Sequence, residues 1–374
     1  MKLIKISIIL SKELSSALVD DLYALGVIQL FVQAGRTSIL EKTNGISNFL
    51  NRSSLSTYPV EIISLFVDEK YEDSLMSYVT RKYDLKTPGK GSIYSQEIIV
   101  SEAHPDYVTK QDINLNIEQK EKFFRQLMGI VCIVQRGEGD KINKIALNYG
   151  ASVPATTHGE GSGVRDKLGL LRITIPAEKE LTNLTISKHD AEAVMELYIT
   201  QGKLDEPGRG FAYLYPIKQG LVNTKISRNS SSQAASVEQM ISAIDSIKGG
   251  MEWRKSRLEH ESNKRREFLS DLTEMDLVCE EGRGTALTEA AMSSGAPGAT
   301  ICKIRSVKLG KDLEMIRFIR EICKMIVPTD KVEAITAALK ATGCFEGEDK
   351  AMLYTLPVQK AFTYRAKEIK RIEN

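Results

Sequence analysis

The chain opens on a short apolar run, Leu3 to Leu10, which reads as a strand. The period then changes, because Lys12 to Leu25 is amphipathic at helical spacing and is closed by Gly26. Val27 to Val32 is a second strand that ends at Gly35-Arg36, and a polar loop rich in Asn and Ser covers Asn44 to Ser56. Val60 to Val67 reads as a third strand and Glu69 to Val79 as a second helix. The turn Pro88-Gly89-Lys90-Gly91 leads into a fourth strand, Ile93 to Val100. A four-stranded antiparallel sheet with both helices on one face satisfies this order with right-handed crossovers.

The same order returns twice. Met128 to Val134 is a strand, Lys141 to Asn148 a helix closed by Gly150, and Leu181 to Ile186 and Asp190 to Thr200 a later strand and helix. Nine residues separate Gly26 from Gly35, and nine separate Gly150 from Gly159. In the last third, Met275 to Cys279, Thr300 to Val307, Ile319 to Val327 and Ala351 to Val358 read as strands, and Asp330 to Ala341 as a helix. Gly282 to Gly295 spans the same thirteen residues as Gly137 to Gly150. The closing element appears three times, as Val79 to Ile98, Ile199 to Ile217 and, more loosely, Lys340 to Val358. Three copies of one closing element imply three copies of one domain. Length agrees, since 374 residues give a prior of two to three domains. The boundaries expected are 1–100, 122–225 and 271–363, with a linker carrying a charged helix at 226–270 and a tail at 364–374.

Two stretches stand outside the repeat. After Gly159-Glu160-Gly161-Ser162-Gly163 comes the apolar segment LGLLRITIP, which forms an extra strand or offers a partner-binding surface. Between Trp253 and Arg266 the chain is strongly charged, with basic residues and glutamates interleaved. That reads either as a solvated, salt-bridged helix or as a basic helix that docks on an acidic partner or membrane surface.

Composition narrows the classes. No apolar run reaches the roughly 18 residues of a membrane helix, and the N-terminal run leads into a Lys/Glu-bearing helix without a cleavage site. Net charge is +2, from 51 Lys and Arg against 49 Asp and Glu, so there is no general attraction to nucleic acid. The five cysteines contain no C-x-x-C pair and are odd in number, which suits a reducing cytoplasm. The four histidines are scattered, no Walker loop occurs, and Gly161-Ser162-Gly163 is not a nucleophile elbow, so the chain is not read as an enzyme.

The chemistry lies in the glycine turns. Gly89, Gly202 and Gly208 let backbone N–H groups approach a phosphate with no Cβ in the way. Lys90, Arg209 and Lys350 each place a cation at or near such a turn.

MKLIKISIILSKELSSALVDDLYALGV resembles the opening of the nitrogen-regulatory P-II signalling proteins, and TQGKLDEPGRGF (Thr200 to Phe211) resembles their closing turn. Thr342-Gly343 to Lys350 is similar to that turn as well, and the resemblance touches all three units. It implies an α+β fold of tandem ferredoxin-like (βαββαβ) domains, arranged as a pseudo-trimer in one chain, with two chains of six units as an alternative. It also implies adenine nucleotide (ATP, ADP or AMP, with or without Mg²⁺) bound in clefts between domains. A regulated partner, a transporter or metabolic enzyme, would be engaged through the long loops. Besides Gly89, Lys90, Gly202, Gly208, Arg209 and Lys350, the resemblance assigns the ligand Gly35 and Arg36, Gly159 and Gly161 at the loop base, Lys179 after the long loop, Lys203 in the turn and Arg365 beyond the last strand. The family's loop-base glutamine is Thr37 here, Thr363 stands where an arginine is expected, and no modifiable tyrosine loop is recognisable. Sensing of 2-oxoglutarate and uridylylation therefore do not carry over. The competing reading is an interaction scaffold with no affinity for nucleotide.

Overall fold

The first ten-residue strand explains the architecture. In β1 (Lys2–Ser11) every residue from Leu3 to Leu10 is buried, so both faces of the strand are covered. Ile4, Ile6, Ile8 and Leu10 pack in one apolar cluster with Leu18, Leu22, Leu75 and Met76 of two helices. The alternate positions face the opposite way. Leu3 joins a cluster with Val278, Ile304, Ile322 and Tyr354, and Ile9 one with Leu127, Tyr213 and Tyr215. One face is thus closed by local helices and the other by distant parts of the chain.

The computed structural model describes residues 1–41, 54–107, 112–115, 120–163, 178–225, 266–309, 315–346 and 350–364. After β1 come α1 (Lys12–Ala24), β2 (Gln29–Glu41), β3 (Ser54–Val67), α2 (Glu69–Lys82) and β4 (Gly91–Ala103). The middle third holds β5 (Leu127–Gln135), α3 (Gly139–Tyr149), β6 (Ala155–Gly163), β7 (Glu178–Ser187), α4 (Ala191–Thr200), β8 (Gly210–Ile217) and β9 (Gln219–Leu221). The last third holds β10 (Leu272–Glu280), α5 (Gly284–Ser293), β11 (Gly298–Leu309), β12 (Met315–Pro328), α6 (Val332–Ala341), β13 (Met352–Val358) and β14 (Lys360–Thr363). The helix-closing glycines Gly26, Gly150 and Gly295 take φ of 92°, 91° and 115°, a left-handed backbone that favours glycine. The charged helix expected at 226–270 falls largely on 226–265, and the apolar segment after Gly163 on 164–177, both outside the described residues.

Three tandem ferredoxin-like domains in a pseudo-trimer are not what the strands form. They join into one antiparallel sheet of fourteen strands, with 27% of the described residues in helix and 48% in strand. Local pairing runs β4-β1-β3-β2, β8-β5-β7-β6 and β13-β10-β12-β11, but no group ends there. β13 pairs with β4, β14 with β8 and β9 with β4, while β2, β6 and β11 pair with one another. The physical reason is the edge strand. An isolated four-stranded group exposes rows of unpaired N–H and C=O groups, and here each row finds its partner in another third of the chain.

Carboxylates reinforce the joins. Glu180 of β7 accepts N–H groups from Gly137 at 3.1 Å and Gly139 at 2.8 Å, at the start of α3. Arg36 of β2 reaches the same carboxylate at 3.1 Å and Asp140 at 2.9 Å. Glu61 of β3 likewise accepts Ser15 of α1 and Arg305 of β11. Arg36 and Arg305 each lie ten residues after a helix-closing glycine, and at the third such position stands Glu160. Glu321 of β12 does accept Gly284 N–H at 2.8 Å, yet Glu160 cannot supply it a cation. Among the described residues, the seam between β6 and β11 therefore lacks the arginine bridge that the other two seams have.

A second polar knot ties the thirds together. Lys324 Nζ lies 3.0 Å from Glu274 and 2.8 Å from Asp276, Tyr213 donates to Glu274 at 3.0 Å, and Lys5 Nζ lies 3.8 Å from Asp276. These groups come from β1, β8, β10 and β12. Removing one partner of such a buried set strands the others without compensation.

Two substitutions test this packing. A Cβ on Gly129 of β5 would lie 1.9 Å from the ring of Tyr215, which is itself buried. Gly129→Ala is expected to cost about 1–3 kcal/mol through overpacking, measured by urea unfolding. Arg36→Ala removes two charge-assisted bonds across a seam and is expected to cost about 1–3 kcal/mol in the same assay. A variant as stable as the wild type would mean that the seam does not depend on this bridge.

A candidate ligand cleft between the second and third repeats

The turn after α4 is shaped by close backbone approach. Gly208 has φ of 71°, and a Cβ on Gly210 would lie 2.6 Å from Ile133 O, so the turn lies tight against β5. Gln135 Nε2 donates to Gly208 O at 3.1 Å and holds it there. Arg209 projects from this turn, and its Nε lies 3.1 Å from Glu206. Both partners of that pair are more than 40% exposed, so it constrains Arg209 only weakly.

Facing the turn is the β6–β11 seam. Gly161 opposes Thr300 and Gly163 opposes Gly298. A Cβ on Gly298 would lie 2.7 Å from Ser162 O, so glycine is what lets the two strands meet there. Between turn and seam lies a cleft of about 500 Å³, a size suited to a small-molecule ligand. Ile133, Phe211, Leu272, Pro297 and Ile326 give it apolar walls. Among the described residues, the charged ones that line it are Lys179, Arg209 and Lys324, with no carboxylate. An anionic ligand with an apolar or aromatic portion fits that lining.

The residues singled out from the sequence divide as follows. Gly161, Lys179, Gly208 and Arg209 line this cleft together. Gly89 and Lys90 line a second cleft of about 310 Å³, between the first and second repeats, beside Thr37, Asn223 and Lys225. Gly35 and Arg36 lie in β2, with Arg36 committed to Glu180 and Asp140. Gly159 packs against Cys302 and Thr300, where a Cβ would come within 3.0 Å of both. Gly202 abuts α4 and Ile142, and Lys203 is paired with Glu206 at 3.2 Å; neither lines a cleft described here. Lys350 pairs with Asp106 at 3.0 Å, away from both clefts. Arg365 lies outside the described residues.

The far wall was not read from the sequence. Gly295, Pro297, Gly298 and Thr300 come from the third repeat, and Lys324 comes from the middle of a strand. The run Gly295-Ala296-Pro297-Gly298 is a visible signal, since such a cluster after a helix marks a tight turn. Lys324 carries none, because one lysine in an apolar strand reads as a solvent-facing position.

The second cleft differs in one respect. Its glycine turn is already occupied, because Gly89 N–H donates to Asn223 Oδ1 at 2.9 Å. Asn223 is anchored in turn by its carbonyl, which accepts Val153 N–H at 2.9 Å. The Lys225 chain lies over Gly89 so closely that a Cβ there would meet Cδ at 2.6 Å.

All five cysteines are buried, and no disulfide joins them. Burial pushes the Cys302 thiol up to about 12, which leaves it a thiol and not a reactive thiolate. Among the described residues no set of three or more His, Cys, Asp or Glu is placed to hold a metal ion. Among the same residues no helix is long and apolar enough to cross a membrane. No protein-family model matches this chain, and no curated protein matches it in sequence.

Proposed function

We propose that the chain is a regulator that binds a small phosphate-bearing ligand in the cleft between its second and third repeats and acts on a protein partner. One observation carries this reading: the Gly208-Arg209 turn, the Gly161–Gly163 strand end, Lys179 and Lys324 converge on one cleft with apolar walls and, among the described residues, no carboxylate. The resemblance to P-II proteins makes an adenine nucleotide the ligand of choice, with its base on the apolar wall and its phosphates at the glycine turn. No reaction is assigned, because ligand binding alone suffices for regulation. The partner would be a transporter or a metabolic enzyme. The long loops expected to engage it fall on 42–53 and 164–177, outside the described residues. Five cysteines without a disulfide favour the cytoplasm.

A scaffold that binds no ligand is favoured by a different observation. Two of the three turns are committed internally, Gly89 to Asn223 and Lys350 to Asp106. The two readings part on stoichiometry, which is one ligand per chain for the regulator and none for the scaffold.

Calorimetric titration with ATP, ADP and AMP, each with and without Mg²⁺, is expected to give one site per chain. Arg209→Ala should weaken binding about tenfold or more, the loss of one charge-assisted contact. Lys90→Ala should leave affinity unchanged. Absence of heat with every nucleotide would leave the scaffold reading in its place.

A further inference from the structure

A separate cavity lies where the repeats meet. It measures about 70 Å³ and is lined by residues of β1 to β4 of the first third, β6 and β7 of the second and β10 to β13 of the third. That is room for about two waters or one ion of similar size. Its existence follows from β1. The strand turns Ile4, Ile6 and Ile8 toward its helices, so Lys5 and Ser7 point into the interior, where they are 9% and 2% exposed.

The polar lining is rich in donors. Lys5, Lys324, Ser7, Ser64, Thr157 and Asn183 all line it and all carry N–H or O–H groups, and no lining residue is a carboxylate. Glu274 and Asp276, which hold Lys324, are not part of the lining. Each ammonium has three protons to donate. Lys324 Nζ has close acceptors for two, Glu274 at 3.0 Å and Asp276 at 2.8 Å. Lys5 Nζ has the Tyr354 hydroxyl at 3.2 Å and Asp276 only at 3.8 Å. Both ammonium groups thus retain donor capacity beside one small void. Burial, and then the neighbouring charge of Lys324, push the Lys5 ammonium down from its ordinary range. Asp276 and Glu274, outside the lining, balance these charges and pull the Lys5 ammonium back up, so what the void offers an occupant is the remaining N–H and O–H donors.

We propose that this cavity is a binding site for one small inorganic anion of halide size, held between Lys5 and Lys324 and by the hydroxyl groups of Ser64 and Thr157. The site is a separate cavity from the larger cleft, and Lys324 lies between them, lining both. It is too small for a nucleotide. Its occupant is a structural ion that joins the three thirds at the point where their polar groups converge.

Bromide provides the test. Crystals of the full chain grown in sodium bromide are expected to show an anomalous bromine peak in contact with Lys5 and Lys324. In solution, the thermal unfolding midpoint should be roughly 2 °C or more higher in sodium chloride or bromide than in sodium gluconate at equal ionic strength. Ser64→Val, which fills part of the void and leaves the ion pairs in place, should abolish that difference. Density for water alone, with no anomalous signal at the site, overturns the proposal whatever the variant does. A midpoint that does not distinguish halide from gluconate overturns it equally.

Discussion

A sheet that covers one face with helices must still cover the other. In this chain that constraint falls on β1, β5 and β10, whose residues are buried on both faces. The helices α1 and α2 close one face of the first group, and the same arrangement closes the second and third. The remaining face is closed only when the groups meet, in clusters that draw Leu3, Phe31, Leu181, Val278 and Tyr354 from all three thirds. At roughly 1.5–3 kcal/mol for each large apolar side chain buried, those shared clusters are not an optional contact. No third of the chain could leave the assembly without exposing them.

Edge pairing then acts in the same direction. β2, β6 and β11 satisfy their backbone groups on one another, and β4 and β8 take β13 and β14. The seams so formed are not equivalent. Arg36 and Arg305 bridge two of them to buried glutamates, while among the described residues Glu160 leaves the third without a bridge. The larger cleft opens at that third seam, beside Gly161 and Gly298. Repetition supplied three similar turns, and their surroundings made them unlike. Asn223 fills one, Asp106 pairs the lysine of another, and Gly208-Arg209 faces open space.

Polar groups inside the structure follow from that same covering of the second face. Lys5, Ser7, Glu274, Asp276 and Lys324 occupy positions that alternate with apolar ones on strands buried on both sides. They are tolerable there because they pair with one another across the thirds. The two predicted classes of effect differ accordingly. Loss of a seam or core contact lowers stability, whereas loss of an exposed cation such as Arg209 alters ligand recognition and leaves the fold intact.

By itself the sequence determined the local elements. The apolar run Leu3 to Leu10, the helical spacing from Lys12 to Leu25 and the glycines Gly26, Gly150 and Gly295 are local signals, and they correspond to β1, α1 and positive-φ helix ends. The cations and glycines of the turn at Gly208-Arg209 were legible for the same reason, since a tight turn is written in neighbouring residues. Tertiary structure alone decided how the groups join. A one-sheet architecture replaced separate domains because edge pairing links residues such as Arg305 and Val32, far apart in the chain. It also decided that Arg36 is spent on Glu180, that Asn223 occupies Gly89, and that Lys324 lines both the large cleft and the small void. Those outcomes depend on which distant residue arrives opposite, and spacing along a chain does not encode that.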